Sequence, residues 1–428
     1  MRHKLFIDND WDEAAGGASF PTVDPATEEP IAEVARAGAA DVDRAVKAAA
    51  AAMKGPWARM APAERGALLF KLADAIAGAR EELARIETLD VGKPLRDSLG
   101  DVDGVVATLR YNAGAADKME GDTIPLGPDV VDFTLLEPLG VTAHIVPWNF
   151  PLGMAMRSMA PALAAGCTAV LKPAEQSPLS ALKLAELIVQ AGFPKGVVNI
   201  VTGFGEEAGE ALVRHPLVRG ISFTGSVETG RRILAGAAPG IKPAVLELGG
   251  KNPMIVFADA DLDRAVGDAL AGTFENCGQV CSSSSRYLLD PAIAEDFLGR
   301  LTAKAAALSI GPGLEDKDLG PIISREQYDR VTGYVARGKA DGARLRAGGQ
   351  RPRHLQRGYF IEPTIFDGVE PSAPIARRLE SGSVWINGWW MGGVQAPTGG
   401  MKESGIGRER GLAGIRNYLQ IKNVAIRL

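Results

Sequence analysis

An α/β fold built on a doubly wound, parallel sheet is predicted for this chain, and three observations predict it. From residue 140 to 248, short apolar segments alternate with longer segments rich in alanine and leucine at helical spacing. The longer segments suit crossover helices, which join parallel strands and cover both faces of a sheet. Asn149, Lys172, Gly225 and Glu247 each follow an apolar segment closely, at the edge where such sheets bind ligands.

Two early helices are expected from the alanine-rich segments 41–52 and 63–89, whose apolar residues recur at helical spacing. Residues 130–136, between segments rich in proline and glycine, read as a strand projecting as an arm. The alternation then places strands at 140–146, 168–171, 197–201, 220–223 and 244–248. Helices fall between them at 154–165, 179–191, 206–215 and 227–235. A second unit starts near Lys251, with strands at 253–257 and 286–289 and helices at 262–274 and 292–308. Glu247 therefore sits at the seam of two units and Cys281 in a loop of the second; clefts between units favour ligands.

The bulk properties narrow the function classes. With 428 residues the chain holds two or three domains. Hydrophobic residues at 46% and charged residues at 23% are ordinary for a soluble globular protein. A formal charge of −5 carries no electrostatic footprint for nucleic acid or an anionic membrane, so neither is expected as a partner. The basic stretch 344–357 reads as a solvated loop. The longest apolar region, 159–171, is interrupted and too short to span a bilayer. The first ten residues lack the apolar stretch of a signal peptide, so a cytoplasmic location is expected. Cys167, Cys277 and Cys281 are too few for a disulfide framework. Cys277 and Cys281 alone do not make a zinc site, and no metal is expected.

Glu247, in Leu-Glu-Leu-Gly-Gly-Lys (246–251), and Cys281, in Asn-Cys-Gly-Gln-Val-Cys (276–281), carry the chemistry. A thiolate attacks a carbonyl, and a positioned carboxylate activates the water that cleaves the resulting thioester. The glycine-rich Gly203-Phe-Gly-Glu-Glu-Ala-Gly209 comes close to a dinucleotide fingerprint but is one residue too long, and reads as a turn. Phe223-Thr-Gly-Ser-Val-Glu-Thr-Gly230 puts Gly225 and Ser226 at a helix N-terminus after a strand, where free N–H groups and the helix dipole favour a phosphate.

These motifs, with Pro147-Trp-Asn-Phe-Pro151, Leu171-Lys-Pro-Ala-Glu175, Gly278-Gln-Val-Cys281 and Gly399-Gly-Met-Lys-Glu-Ser-Gly-Ile-Gly-Arg-Glu409, give the chain its family likeness. It resembles the aldehyde dehydrogenase superfamily of the NAD(P)-dependent, non-phosphorylating, hydrolytic type, over nearly its whole length. The resemblance implies a doubly wound, Rossmann-like NAD-binding domain at 1–117 and 138–249. It further implies an α/β catalytic domain at 250–405, and a small β oligomerisation arm at 118–137 and 411–428, for a homodimer or homotetramer.

By the same resemblance, Cys281 is the nucleophile that forms a thiohemiacetal and then a thioester. Asn149 and the backbone N–H of Cys281 stabilise the oxyanion, at roughly 3 kcal/mol per donor. Glu247 activates water, which argues against the CoA-acylating branch. Lys172 and Glu175 match positions that hold the adenosine ribose. An acidic residue there favours NAD, although NADP is used by some relatives with this glutamate. Pro147 and Trp148 line the adjoining groove; core packing is the other reading of Trp148.

The substrate is an aldehyde, with aromatic aldehydes and semialdehydes both open. Arg157 either binds a substrate carboxylate or makes a structural ion pair. Glu275 pairs with Arg157, meets a cationic aldehyde or faces solvent. Trp389 and Trp390 are expected at the tunnel mouth. Cys277 is a buried free thiol or a disulfide partner of Cys281.

One departure from the family stands out. After Tyr359-Phe-Ile-Glu-Pro-Thr364 the pattern should run on to Glu-Glu-Ile-Phe-Gly-Pro. Here Pro374-Ile-Ala-Arg377 passes straight into Arg378-Leu-Glu-Ser-Gly-Ser-Val-Trp-Ile-Asn387, as though an in-frame deletion near 374–378 had removed roughly fifty residues. The missing glutamate would hold the nicotinamide ribose in relatives. If the block is absent from the protein itself, exposed apolar surface, unpaired strand edges and impaired hydride transfer are expected. The alternative function is then a catalytically impaired relative that binds nucleotide or aldehyde.

Overall fold

The computed structural model describes residues 2–369, 383 and 385–428. An eight-stranded sheet organises the first half. In spatial order its strands are Gly405–Ile406, Ala244–Leu248, Val218–Gly225, Val141–Ile145, Thr168–Lys172, Val198–Ile200, Leu5–Ile7 and Asp10–Asp12. The five from Ala244–Leu248 to Val198–Ile200 are mutually parallel. From Val141–Ile145 the chain winds outward first to one side and then to the other, so the sheet is doubly wound as predicted. It is not wholly parallel. Gly405–Ile406, Leu5–Ile7 and Asp10–Asp12 add antiparallel edges; the first two join the sheet through residues far apart in the chain, which leave no local pattern, and Asp10–Asp12 pairs with Leu5–Ile7 as a tight hairpin.

Alternation along the strands feeds two cores. Ala169 and Leu171 enter one, with the helices Pro62–Gly78, Arg80–Val91, Leu95–Ala115, Pro151–Ala165 and Leu179–Ala191. Val170, between them, enters the other with Ala39–Ala52, Glu210–Arg214 and Val227–Ala237. The predicted helix 63–89 is two helices, broken at Ala79 (φ −99°, ψ 15°). The 21-residue Leu95–Ala115 has no counterpart in the sequence reading, because Gly100, Gly104 and scattered aspartates blur its apolar stripe. Expected helix 206–215 divides into a π-turn, Gly205–Gly209, and the short Glu210–Arg214.

The second half is thinner. Among the described residues Asn252–Val256 pairs, in parallel, with Ser284–Leu289 alone, backed by Leu262–Phe274 and Ala294–Ala306 around Phe297 and Leu301. Ile255, Phe257 and Leu288 are each more than half exposed, unusual for a parallel pair, which is normally covered on both faces. The expected junction at 374–378 lies outside the described residues. The arm forms: Val130–Pro138 pairs antiparallel with Leu419–Arg427 from end to end, and Thr123–Ile124 adds a third strand. Among the described residues no helix is long and apolar enough to cross a membrane.

Candidate active site

Strand register brings the motifs to one edge. Phe223 pairs with Ile145 and Ile145 with Lys172, while Thr224 pairs with Glu247. The residues at or just past those strand ends therefore stand level: Pro147 to Asn149, Lys172, Gly225 with Ser226, and Glu247. Pro147 and Trp148 are partly buried, and the Trp148 carbonyl accepts from Ser177 Oγ at 3.0 Å. Lys172 is buried and meets Glu175 Oε2 at 3.0 Å; burial pulls its ammonium below the ordinary lysine range. Gly225 ends its strand, and a Cβ there would lie 2.5 Å from the Phe223 ring. Ser226 caps Val227–Ala237, accepting from the Thr229 N–H at 3.1 Å. This donor set suits a nucleotide: a carboxylate for ribose hydroxyls, and an exposed helix N-terminus for phosphate.

Cys281 lies in the loop between the turn Glu275–Gly278 and the strand Ser284–Leu289. Asn276, Cys277 and Gly278 have φ of 48°, 59° and 77°. Two non-glycine residues in succession in the left-handed region cost about 1–3 kcal/mol each and persist only where surroundings impose them. Those surroundings are visible. Asn276 Nδ2 donates to the Asn149 carbonyl at 2.9 Å, and Asn149 Nδ2 donates to the Gln279 carbonyl at 2.8 Å. The Gly320 N–H donates to Cys277 Sγ at 3.0 Å, and Asn252 Nδ2 to the Cys281 carbonyl at 2.8 Å. The loop that carries Cys281 and the segment that carries Asn149 are thus tied to each other. Cys281 remains open to solvent at the surface of a concave wall. Burial raises its thiol above the ordinary range, and Arg157 opposes the rise. Cys277 and Cys281 are both free thiols.

Across the cavity, Glu247 is largely but not fully buried on its strand, its side chain 11% exposed. Burial first, and then the Glu409 charge, push its carboxyl up to about 7, against the pull of Arg157. Its Oε1 has no hydrogen-bond partner. The glycines of the 399–409 motif let that segment wrap Glu247: a Cβ on Gly399 would lie 3.0 Å from Glu247 Oε1, and one on Gly405 would lie 2.5 Å from the Leu246 carbonyl. A cavity of about 860 Å³ joins Glu247, Cys281, Arg157, Trp389 and Trp390. Trp389 packs against Gly272, and Trp390 lies under the Arg410 guanidinium at 5.0 Å.

Two open alternatives narrow. Arg157 pairs with Glu247 and Glu409, and among the described residues it makes no ion pair with Glu275. Glu275 is exposed instead, with its carboxyl raised by partial burial and by Asp97. Glu409 stood inside a recognised motif but drew no role from the sequence; only its burial against Arg157 marks it.

The sequence pattern of the Aldehyde dehydrogenase family matches residues 11–378 and 373–424. The chain is 43% identical over 472 residues to hydroxyisobutyraldehyde dehydrogenase of Mycolicibacterium austroafricanum, covering 99% of this chain and 94% of that protein. It is 40% identical over 478 residues to mitochondrial aldehyde dehydrogenase of Rattus norvegicus, covering 100% and 92%. Its structure superposes with a TM-score of 0.98 on an NAD+ complex of aldehyde dehydrogenase from Bacillus cereus, at 41% identity and covering 100% and 97% of the two chains.

Proposed function

The chain belongs to the aldehyde dehydrogenase family, and on that premise we propose that it oxidises an aldehyde to its carboxylate through covalent intermediates on Cys281. It is an NAD-dependent enzyme of this family. The Cys281 thiolate attacks the carbonyl carbon, and the Asn149 amide with the Cys281 N–H holds the resulting oxyanion. Bound NAD supplies the hydride acceptor that turns the thiohemiacetal into a thioester. Lys172, Glu175, Gly225 and Ser226 hold its adenosine and phosphate end, with Pro147 and Trp148 along the groove. Glu247 then takes a proton from water as that water attacks the thioester. The carboxylate product leaves, and the thiolate is restored.

A buried Glu247 oxygen with no partner, in the same cavity as an open Cys281, carries this reading. Rapid mixing of aldehyde and NAD with Glu247→Gln tests it: a burst of NADH followed by stalled turnover is expected, and Cys281→Ala should give no burst. Steady turnover by Glu247→Gln at the native rate would remove the base from the scheme.

Trp389 and Trp390 in the cavity wall favour an aromatic aldehyde over a semialdehyde, since Arg157 is already paired with two carboxylates and Arg264, the other arginine lining that wall, donates to the Asn387 carbonyl. We read 250–405 as the catalytic unit, with the Val130–Pro138 and Leu419–Arg427 ribbon as the oligomerisation arm of a homodimer or homotetramer. Cytoplasm is the proposed location. The family match restarts at 373 before it has ended at 378, and the relatives' alignments run to 472 and 478 residues against 428 here. Both support the absence of roughly fifty residues at that point, as does the exposed pair of strands. The comparisons lend no support to an impaired, binding-only role. Ester hydrolysis measured beside NADH formation separates thiol chemistry from cofactor handling.

A further inference from the structure

Arg157 lies two turns into Pro151–Ala165, the helix whose first residue follows Asn149 and Phe150. Its side chain is 12% exposed, and the two carboxylates it meets, Glu247 and Glu409, are 11% and 6% exposed. Nη2 reaches Glu247 Oε2 at 3.5 Å and Thr398 Oγ1 at 3.4 Å. Nε pairs with Glu409, and Nη1 faces Met154 Sδ at 3.9 Å. Two of the three guanidinium nitrogens therefore face carboxylates of the protein itself. Two carboxylates held this close repel each other, and the cation between them offsets that repulsion.

We infer that Arg157 is a positioning residue for the base and not a receptor for a substrate carboxylate: bracketed by Glu247 and Glu409, it keeps Glu247 ionised and aimed into the cavity. The inference rests on Glu247 being the deacylation base. Glu247 faces charge from several sides. Glu409 raises its carboxyl, Arg157 and Arg408 lower it, and the Gly400 N–H helps to lower it. Cys281 and Arg410 stand within electrostatic reach of the same group. Arg157 supplies the largest opposing charge, so its loss leaves burial and Glu409 unopposed. The same cation favours the Cys281 thiolate, which ties nucleophile and base to one side chain.

The test is the pH dependence of deacylation, read as the steady rate after the burst with a p-nitrophenyl ester, which acylates Cys281 and needs no cofactor. In Arg157→Met the acid limb should move up by a unit or more. That is about a fivefold loss at pH 7 for a limb starting near 7, with recovery by pH 9. Arg157→Lys should restore most of the native profile. Glu409→Gln should move the limb the other way, and it carries the test if Arg157→Met does not fold.

An unmoved limb with a raised KM confined to carboxylated aldehydes would restore the receptor role and overturn the proposal. So would an equal loss at every pH without rescue by lysine, or a Glu409→Gln limb that stays or rises. In Glu247→Gln the limb should vanish. Its persistence there would sink the base assignment together with this proposal, whereas a limb that vanishes there yet ignores Arg157 sinks the proposal alone.

Discussion

Lys93 offers a quantitative test of how the scaffold supports the site. Its ammonium is fully buried, 2.6 Å from Asp101 and 3.6 Å from Glu87, and lies 4.6 Å over the Phe150 ring. Glu87 Oε1 accepts from the Leu152 N–H at 2.7 Å, and so anchors the helix that begins just after Asn149. Burial pushes the Asp101 carboxyl up to about 7 even with the lysine present. Lys93→Met keeps the volume and removes the charge. Breaking a buried pair from one side costs about 3–5 kcal/mol.

That cost should depend on pH with a definite sign. Without the lysine, the folded-state value of Asp101 rises further, while its unfolded value stays near 4. The folded protein then holds a proton that the unfolded chain releases, so stability falls as pH climbs from about 4 through the folded value. At about 2.1 cal/mol/K per residue, the 428-residue chain has an unfolding entropy near 0.9 kcal/mol/K. The variant should therefore melt roughly 3–6 °C below the native protein at pH 8.5 and within about 1 °C of it at pH 5. Calorimetry at the two pH values measures this. A deficit that is equal at both, or larger at pH 5, would refute the assignment of Lys93 as counter-ion to the cluster.

Asn149→Ala should slow acylation of Cys281 by about 10²–10³ while thiol labelling persists, and near-native acylation would remove Asn149 from the oxyanion site. Glu175→Ser frees the Lys172 ammonium, 3.0 Å away, and should raise the use of NADP relative to NAD by about tenfold, or ~1.4 kcal/mol; an unchanged ratio would place cofactor choice elsewhere. A limiting dose of alkylating reagent at pH 8, followed by peptide mass spectrometry, should label Cys281 first. Cys277, pushed up to about 12 and bonded by Gly320, and buried Cys167, pushed up to about 11, should both be spared. Label on Cys277 ahead of Cys281 would contradict that order.

The central alternation was legible because helix and strand periods are local. Leu179–Ala191, Ala244–Leu248 and Leu262–Phe274 match their predicted bounds, and most other elements differ by a few residues. The split at Ala79 and the unread Leu95–Ala115 show the limit of that signal. Both lie in alanine- and glycine-rich stretches, where periodicity is weak and packing between helices sets the boundaries.

From the sequence alone came the doubly wound core, the edge of the sheet that bears the site, and the residues Cys281, Glu247, Asn149, Lys172 and Glu175. Each of these candidates lies in a short motif just after a strand or in a glycine-bounded loop, and the family resemblance of those motifs, a chain-local signal, is what singled them out. The tertiary structure decided the charge partnerships: Arg157 with Glu247 and Glu409, Lys93 with Glu87 and Asp101, and the exposure of Glu275. The Arg157 pairs join residues 90 and 252 positions apart, and a motif says nothing about which buried charges the fold sets face to face. Burial then determines what such a pair does, because the low-dielectric interior turns a nearby charge into a shift in ionisation that the same residues would not show in water.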